Sequence, residues 1–136
     1  TVNGYLERLA ANPNAYPPAI KAQIDWRIGI TGNSLKIAYP LGVKIAYGTD
    51  AGVSKHGRNA DEFELLVKFG MSPAEAIKAA TVNAAALLGV DKETGTLEAG
   101  KAADIIAVSG DPLADVKVLK AMKFVMARGE VIVGPN

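Results

Sequence analysis

Apolar positions along the chain change their spacing several times, and each change marks an element. Val2, Tyr5, Leu6 and Leu9 recur at helical spacing up to Asn12-Pro13-Asn14, which predicts a short amphipathic helix. Pro17-Pro18 supplies a first-position proline for a second helix carrying Ile20, Ile24 and Ile28. Gly29 and Gly32 are expected to interrupt that helix, Asn33 to open another turn or two, and Pro40 with Gly42 to end it. Val43, Ile45 and Tyr47 are apolar at period two, which predicts a strand running into Gly48-Thr49-Asp50-Ala51-Gly52.

A helix is next predicted from Asp61 to Phe69, with Phe63, Leu66, Val67 and Phe69 facing inward and Gly70 as its stop. Ser72-Pro73-Ala74-Glu75 has the form of a capping box, so the following helix starts sharply. Its alanine-rich continuation to Leu88 has side chains small enough for close packing against a sheet, and Thr81 with Asn83 is expected to mark a break and a fresh cap. From Gly95 the pattern turns to strands. Ile105 to Val108 is a buried-strand run, Gly110-Asp111-Pro112 turns the chain into a short helix from Leu113 to about Leu119, and a hairpin closes it. The hairpin strands are Phe124–Ala127 and Val131–Val133, with Arg128-Gly129 as a two-residue turn in which the glycine takes the positive φ.

Composition narrows the class without choosing a function. Hydrophobic residues at 49% and charged residues at 21% describe an ordinary globular chain, and 136 residues are enough for one core. A net charge of +1, with neither sign concentrated, gives no reason to expect nucleic acid or an anionic membrane as a partner. No apolar run approaches the roughly 18 residues of a membrane span, and no retained signal peptide is expected. The lack of cysteine excludes disulfides and is compatible with a cytoplasmic location.

The candidate chemistry centres on Asp50. Glycines at 48 and 52 let backbone or ligand come close to whatever this carboxylate holds, as suits a metal ligand or proton carrier; the alternative is a loop-start aspartate that caps the next turn. His56, the single histidine, lies in the following loop beside Arg58 and either meets substrate or is a surface residue bonded to its own loop. Trp26 either lines a pocket or packs in the core, and the second is expected. Glu62 and Glu64 point in different directions on a helix and are taken as a solvated face. Asp104 and Asp111 are taken as backbone caps. A phosphate-cradling role for Gly48–Gly52 fails, because the Gly-Lys-Ser/Thr ending is absent and an acid there repels phosphate.

Four blocks together, GVKIAYGTDAG at 42–52 with HGRN at 56–59, GMSPAEAIKAATVNAAALLGV at 70–90, GTLEAGKAADIIAVSGDPL at 95–113 and FVMARGEVI at 124–132, resemble the C-terminal part of the metal-dependent amidohydrolase superfamily. The similarity is to its prolidase-like and imidazolonepropionase-like branch and is weak before residue 33. It implies an α/β fold: residues 1–90 as the end of a TIM-type (β/α)8 barrel and 91–136 as part of an accessory β-sandwich. A whole barrel takes about 250 residues, so a C-terminal piece is expected.

By the same resemblance Asp50 is the aspartate of the last barrel strand, a metal ligand that also shuttles the proton in hydrolysis. His56 belongs to the substrate-binding loop at the mouth of the site. The cofactor implied is a divalent metal, zinc by expectation, and the substrate a small peptide or amide. One histidine and no cysteine fall short of the three protein ligands of a catalytic zinc, so the remaining ligands are expected upstream. A homo-oligomer, or association with the missing N-terminal part, is the expected assembly. The alternative is a non-catalytic module that needs a partner chain.

Overall fold

The computed structural model describes residues 3–52 and 55–134. Its elements run in the order α1 (Asn3–Ala11), α2 (Pro18–Ile30), α3 (Asn33–Ala38), a 3-10 turn (Tyr39–Leu41), α4 (Asp61–Lys68), α5 (Pro73–Ala80), α6 (Val82–Leu88), β1 (Ile105–Val108), a 3-10 helix (Val116–Lys120), β2 (Met122–Ala127) and β3 (Glu130–Val133). Val2 of the first predicted helix lies outside the described residues.

Most helix boundaries follow local chemistry. Pro18 opens α2, which runs through Gly29 without the expected interruption because that glycine keeps a negative φ, and the chain breaks at Thr31-Gly32, where Gly32 adopts a φ of +83°. Glycine is required there twice over, because a Cβ would fall inside the Phe69 ring at the end of α4. Pro40 and Gly42, the latter at φ +76°, close the segment as expected. Ser72 Oγ accepts the Glu75 amide at 3.2 Å with Pro73 at the first helical position, so the cap of α5 forms. The break at Thr81 also forms, but without the fresh side-chain cap: the Thr81 hydroxyl donates back to the Ile77 carbonyl at 2.8 Å, and Asn83 reaches elsewhere.

The sheet is antiparallel in the order β1-β2-β3. Ile105 pairs with Met126 and Ala107 with Phe124, and a bulge follows at Val108; on the other side Ala127 pairs with Glu130. Both Arg128 (φ +50°) and Gly129 (φ +82°) are left-handed, the geometry of a type I′ turn, so the turn asks more of Arg128 than expected. Asp104 supports it by accepting the Arg128 amide at 2.8 Å, and Asp111 accepts the Leu113 amide at 2.8 Å; both act as caps. The expected helix at 113–119 is shorter and tighter, a 3-10 helix from Val116 with Asp115 capping the Lys117 amide at 3.0 Å.

Three further expectations are corrected. Ile105–Val108 is a strand but not a buried one, with Ile106 51% exposed, because nothing among the described residues covers that part of the sheet. Residues 43–47 form no strand, because no neighbouring strand among the described residues lies alongside to pair with them. Trp26 is 65% exposed rather than packed: apolar residues fall all round α2, and only Ile24 among them is buried.

The core is built of small side chains. Its buried apolar residues are Ala76 and Ala79 of α5, Ala85 of α6, Met71, Ile24, Val116 and Leu119. Glu64 does not merely face water: Lys120 Nζ lies 2.5 Å from its carboxylate and 3.4 Å from that of Asp61, fastening the 3-10 helix to α4. The hydrogen bond that Lys120 donates to Glu64 holds its ammonium above the ordinary range, with Asp61 adding to the shift and desolvation opposing it. Large apolar side chains stay in water, among them Leu41, Leu87, Leu88 and Leu97, each at least 74% exposed. The accessible surface is 9032 Å², against about 6,700 Å² for a compact monomer of this mass.

Gly32→Ala is expected to destabilise the chain by on the order of 1–3 kcal/mol, since the new methyl meets both a left-handed backbone and the Phe69 ring. The shift in urea midpoint measures it, with Gly29→Ala, inside α2 and facing open space, as the control expected to be neutral or stabilising.

Candidate functional site

The segment 42–52 reaches its position without a sheet. Its backbone is held by groups from other elements: Asn83 Nδ2 of α6 donates to the Ile45 carbonyl at 2.9 Å, and the Tyr47 amide donates to the Ala79 carbonyl of α5 at 2.9 Å. Asn83, expected as a helix cap, is thus a tertiary tether. Such bonds satisfy backbone groups that would otherwise be unpaired, at about 1 kcal/mol net each.

Asp50 follows, exposed and at a φ of +46°. A residue other than glycine in the left-handed region costs roughly 1–2 kcal/mol, least for Asn and Asp, and such strain gathers at functional sites where the surroundings enforce it. Thr49 just before it is buried at 9%. The chain has therefore turned its hydroxyl inward and its carboxylate outward at successive residues.

The return of the loop is anchored on the same strand end. Asn59 Nδ2 donates to Thr49 Oγ1 at 2.8 Å, and the Tyr47 hydroxyl donates to the Asn59 carbonyl. The Tyr47 ring stacks on Phe63 of α4 with centroids 4.8 Å apart. Burial of the phenol raises its pKa well above the ordinary tyrosine value, and the nearby carboxylates of Glu62 and Asp61 add to the shift. It stays a neutral donor to the carbonyl it meets. Arg58 fixes the loop a second way, pairing with Glu7 of α1 and, at 2.6 Å, with Asp61 of α4.

His56 lies at a turn of this loop, with its ring exposed beside Gly57 at φ +85°. The structure does not bring His56 onto Asp50 directly; it ties together the stretches that carry them, through the bond between residues 49 and 59. Sequence reasoning missed Asn59, Tyr47 and Asn83. HGRN pointed to the loop, but no spacing rule marks an asparagine whose partner lies ten residues away.

Zinc in a catalytic site takes three protein ligands, and among the described residues no group of three or more His, Cys, Asp or Glu side chains converges. The described residues therefore do not fit a complete metal centre. A groove of about 540 Å³ opens between α6 and β1, lined by Ala84, Leu88, Val90, Leu97 and Ile106 among others, and no residue of 42–59 lines it. It is an apolar recess apart from the candidate site.

Comparison with known proteins gives the same assignment from several directions. The sequence pattern described as "Amidohydrolase family" matches residues 26–132. Ochratoxinase of Aspergillus niger is 43% identical over 104 residues, covering 73% of this chain and 21% of that protein. Imidazolonepropionase of Symbiobacterium thermophilum is 39% identical over 72 residues, covering 51% of this chain and 17% of that protein. Among solved structures, a Xaa-Pro dipeptidase with methionine bound in its active site matches with a TM-score of 0.87 at 36% identity, over 98% of this chain and 33% of that one. The A. niger ochratoxinase structure matches with a TM-score of 0.72 at 36% identity, over 94% of this chain and 30% of that one. The chain thus spans about a fifth of the curated relatives' length and about a third of the solved structures'.

The strain at Asp50 is open to direct measurement. Asp50→Gly is expected to be about 1 kcal/mol more stable than Asp50→Ala, because only glycine accepts the left-handed backbone freely. Equal denaturation midpoints for the two variants would count against the positive φ.

Proposed function

The chain belongs to the amidohydrolase family, and from that premise we propose that it is the C-terminal part of a hydrolase of amide or peptide bonds, of Xaa-Pro dipeptidase type. Asp50 is its proton carrier and His56 a substrate-binding residue of the loop that follows. Residues 1–90 correspond to the end of the barrel and 91–136 to part of an accessory β-sandwich. The observation that carries the reading is Asp50 itself: an exposed carboxylate on a strained backbone, at the end of a segment tethered at Ile45, Tyr47 and Thr49. A capping aspartate has no need of that backbone.

The work of Asp50 is proton transfer. As water adds to the amide carbonyl carbon, the carboxylate accepts the proton the water loses and delivers it to the nitrogen as the carbon–nitrogen bond breaks, leaving a carboxylic acid and an amine. Exposure on the loop side lets the carboxylate reach both oxygen and nitrogen from one position. His56, in the same loop, meets the polar end of a peptide substrate.

Members of this family generally use divalent metals, and Asp50 is the one ligand we assign to this sequence; zinc is the metal proposed. The other ligands come from polypeptide outside the 136 residues. A second reading, a non-catalytic module completed by a partner chain, is favoured by one observation: about 2,300 Å² more surface than a compact monomer of this mass exposes, with large apolar side chains such as Leu41, Ile37 and Leu87 among those in water. Both readings require that another polypeptide cover that surface.

In the full-length, metal-loaded protein, Asp50→Asn is expected to lower kcat about a hundredfold or more while retaining much of the metal, since general acid–base transfer contributes about 10² to 10⁴. Near-normal turnover of that variant on a dipeptide would remove Asp50 from the chemistry. His56→Ala is expected to act mainly on KM, the mark of lost uniform binding. The 136-residue chain by itself is expected to show no dipeptidase activity, to keep no stoichiometric zinc through dialysis, and to self-associate; a zinc-bound, active monomer in light scattering and metal analysis would overturn all three.

A further inference from the structure

Asn59 occupies an unusual position between the two candidate residues. Its side chain donates to Thr49 Oγ1 at 2.8 Å, one residue before Asp50. Its carbonyl accepts two donors, the Tyr47 hydroxyl and, at 3.1 Å, the Glu62 amide in the first turn of α4. One residue therefore bridges the strand end, at positions 47 and 49, to the start of a helix. The helix side of the bridge is rigid by independent means, through the Phe63 ring under Tyr47 and the Arg58 pairs to Glu7 and Asp61.

The strand end needs such a hold. Residues 43–47 lack the ladder that would fix them in a sheet, and Asp50 sits in a conformation its own backbone disfavours. Thr49 is buried and accepts the Asn59 amide, while the next residue, Asp50, is exposed, so the Asn59 bond holds the chain at the point where it turns from inward to outward.

We propose that Asn59 is the positioning residue of this site, clamping Thr49 so that Asp50 is held in its left-handed, outward conformation. The inference rests on the reading of Asp50 as proton carrier and adds the residue that aims it. Asn59 does not touch the reacting atoms.

The test uses the full-length polypeptide containing this sequence, with its metal. Asn59→Ala and Thr49→Val are expected to lower kcat about tenfold to a hundredfold with KM within about threefold and metal content unchanged, as a displaced catalytic group does. Amides 49–52 should exchange at least about tenfold faster by mass spectrometry. Thr49→Ser, which keeps the acceptor oxygen, should recover most of both losses, whereas a purely steric role for Thr49 would spare valine, its near-isostere, and not serine. Wild-type exchange at 49–52 in Asn59→Ala, or equal defects in the serine and valine variants, overturns the clamp. Asp50→Asn run in parallel separates the two ideas: full turnover there refutes the proton-carrier reading, and exchange still decides the clamp. If Asn59→Ala fails to fold, Thr49→Val against Thr49→Ser, which remove and keep the acceptor of the same bond, carry the comparison.

Discussion

The constraint on which the rest depends is that residues 43–50 must be held in place with no strand beside them among the described residues. Every backbone amide and carbonyl along such a segment needs a partner or water. Helices provide the partners here: Ala79 of α5 takes the Tyr47 amide, Asn83 of α6 gives to the Ile45 carbonyl, and Asn59 before α4 holds Thr49. Two helices and the loop before a third thus meet at one short stretch. Its last residue is the strained aspartate.

That arrangement explains the composition of the α5–α6 pair. For Ala79 to reach the Tyr47 amide, α5 must approach the segment at backbone distance, and only small side chains on the facing surface permit it. Ala76 and Ala79 are fully buried and Ala85 nearly so. Gly95 continues the rule on the far side, because a Cβ there would press on Ala85 and the Thr81 carbonyl. The alanines are the means by which helix backbone does the work of a missing strand.

The same economy leaves the outer surface uncovered. A core of alanines with single isoleucine, methionine, valine and leucine side chains buries little apolar area, while Leu88, Leu97 and Ile106 remain in water around the recess between α6 and β1. At about 25 cal/mol per Å² of apolar surface, covering even part of it would contribute more than the exposed ion pairs of Lys120 or Arg58, which are worth about 0–1 kcal/mol each. Burial against further polypeptide, rather than surface charge, is therefore the larger reserve of stability. The charge network has a different use, fixing the loop of His56 and Asn59 against α1 and α4.

Much of this was legible in the sequence, and the division has a physical cause. Local signals acted locally: Pro18, Ser72 with Pro73, Gly32, Gly42, Asp111 and the Arg128-Gly129 turn place their boundaries through bonds and dihedral preferences confined to a few residues. The four blocks of family resemblance placed Asp50 and the His56 loop together, because their order along the chain records the fold. The strand at 43–47 was misread because alternation describes which faces are apolar, whereas a strand exists only when a neighbour completes its hydrogen bonds. Trp26 was misplaced for a related reason, since burial depends on what lies opposite and not on the residue. Asn83 and Asn59 could not be found at all: an asparagine near a helix start looks like a cap, and only the folded chain, bringing residue 83 to 45 and 59 to 49, decides that their amides hold the strand end. Sequence alone determined the local stops, the turns and the candidate acid; tertiary structure decided what holds that acid in place, because those bonds join residues that no local spacing relates.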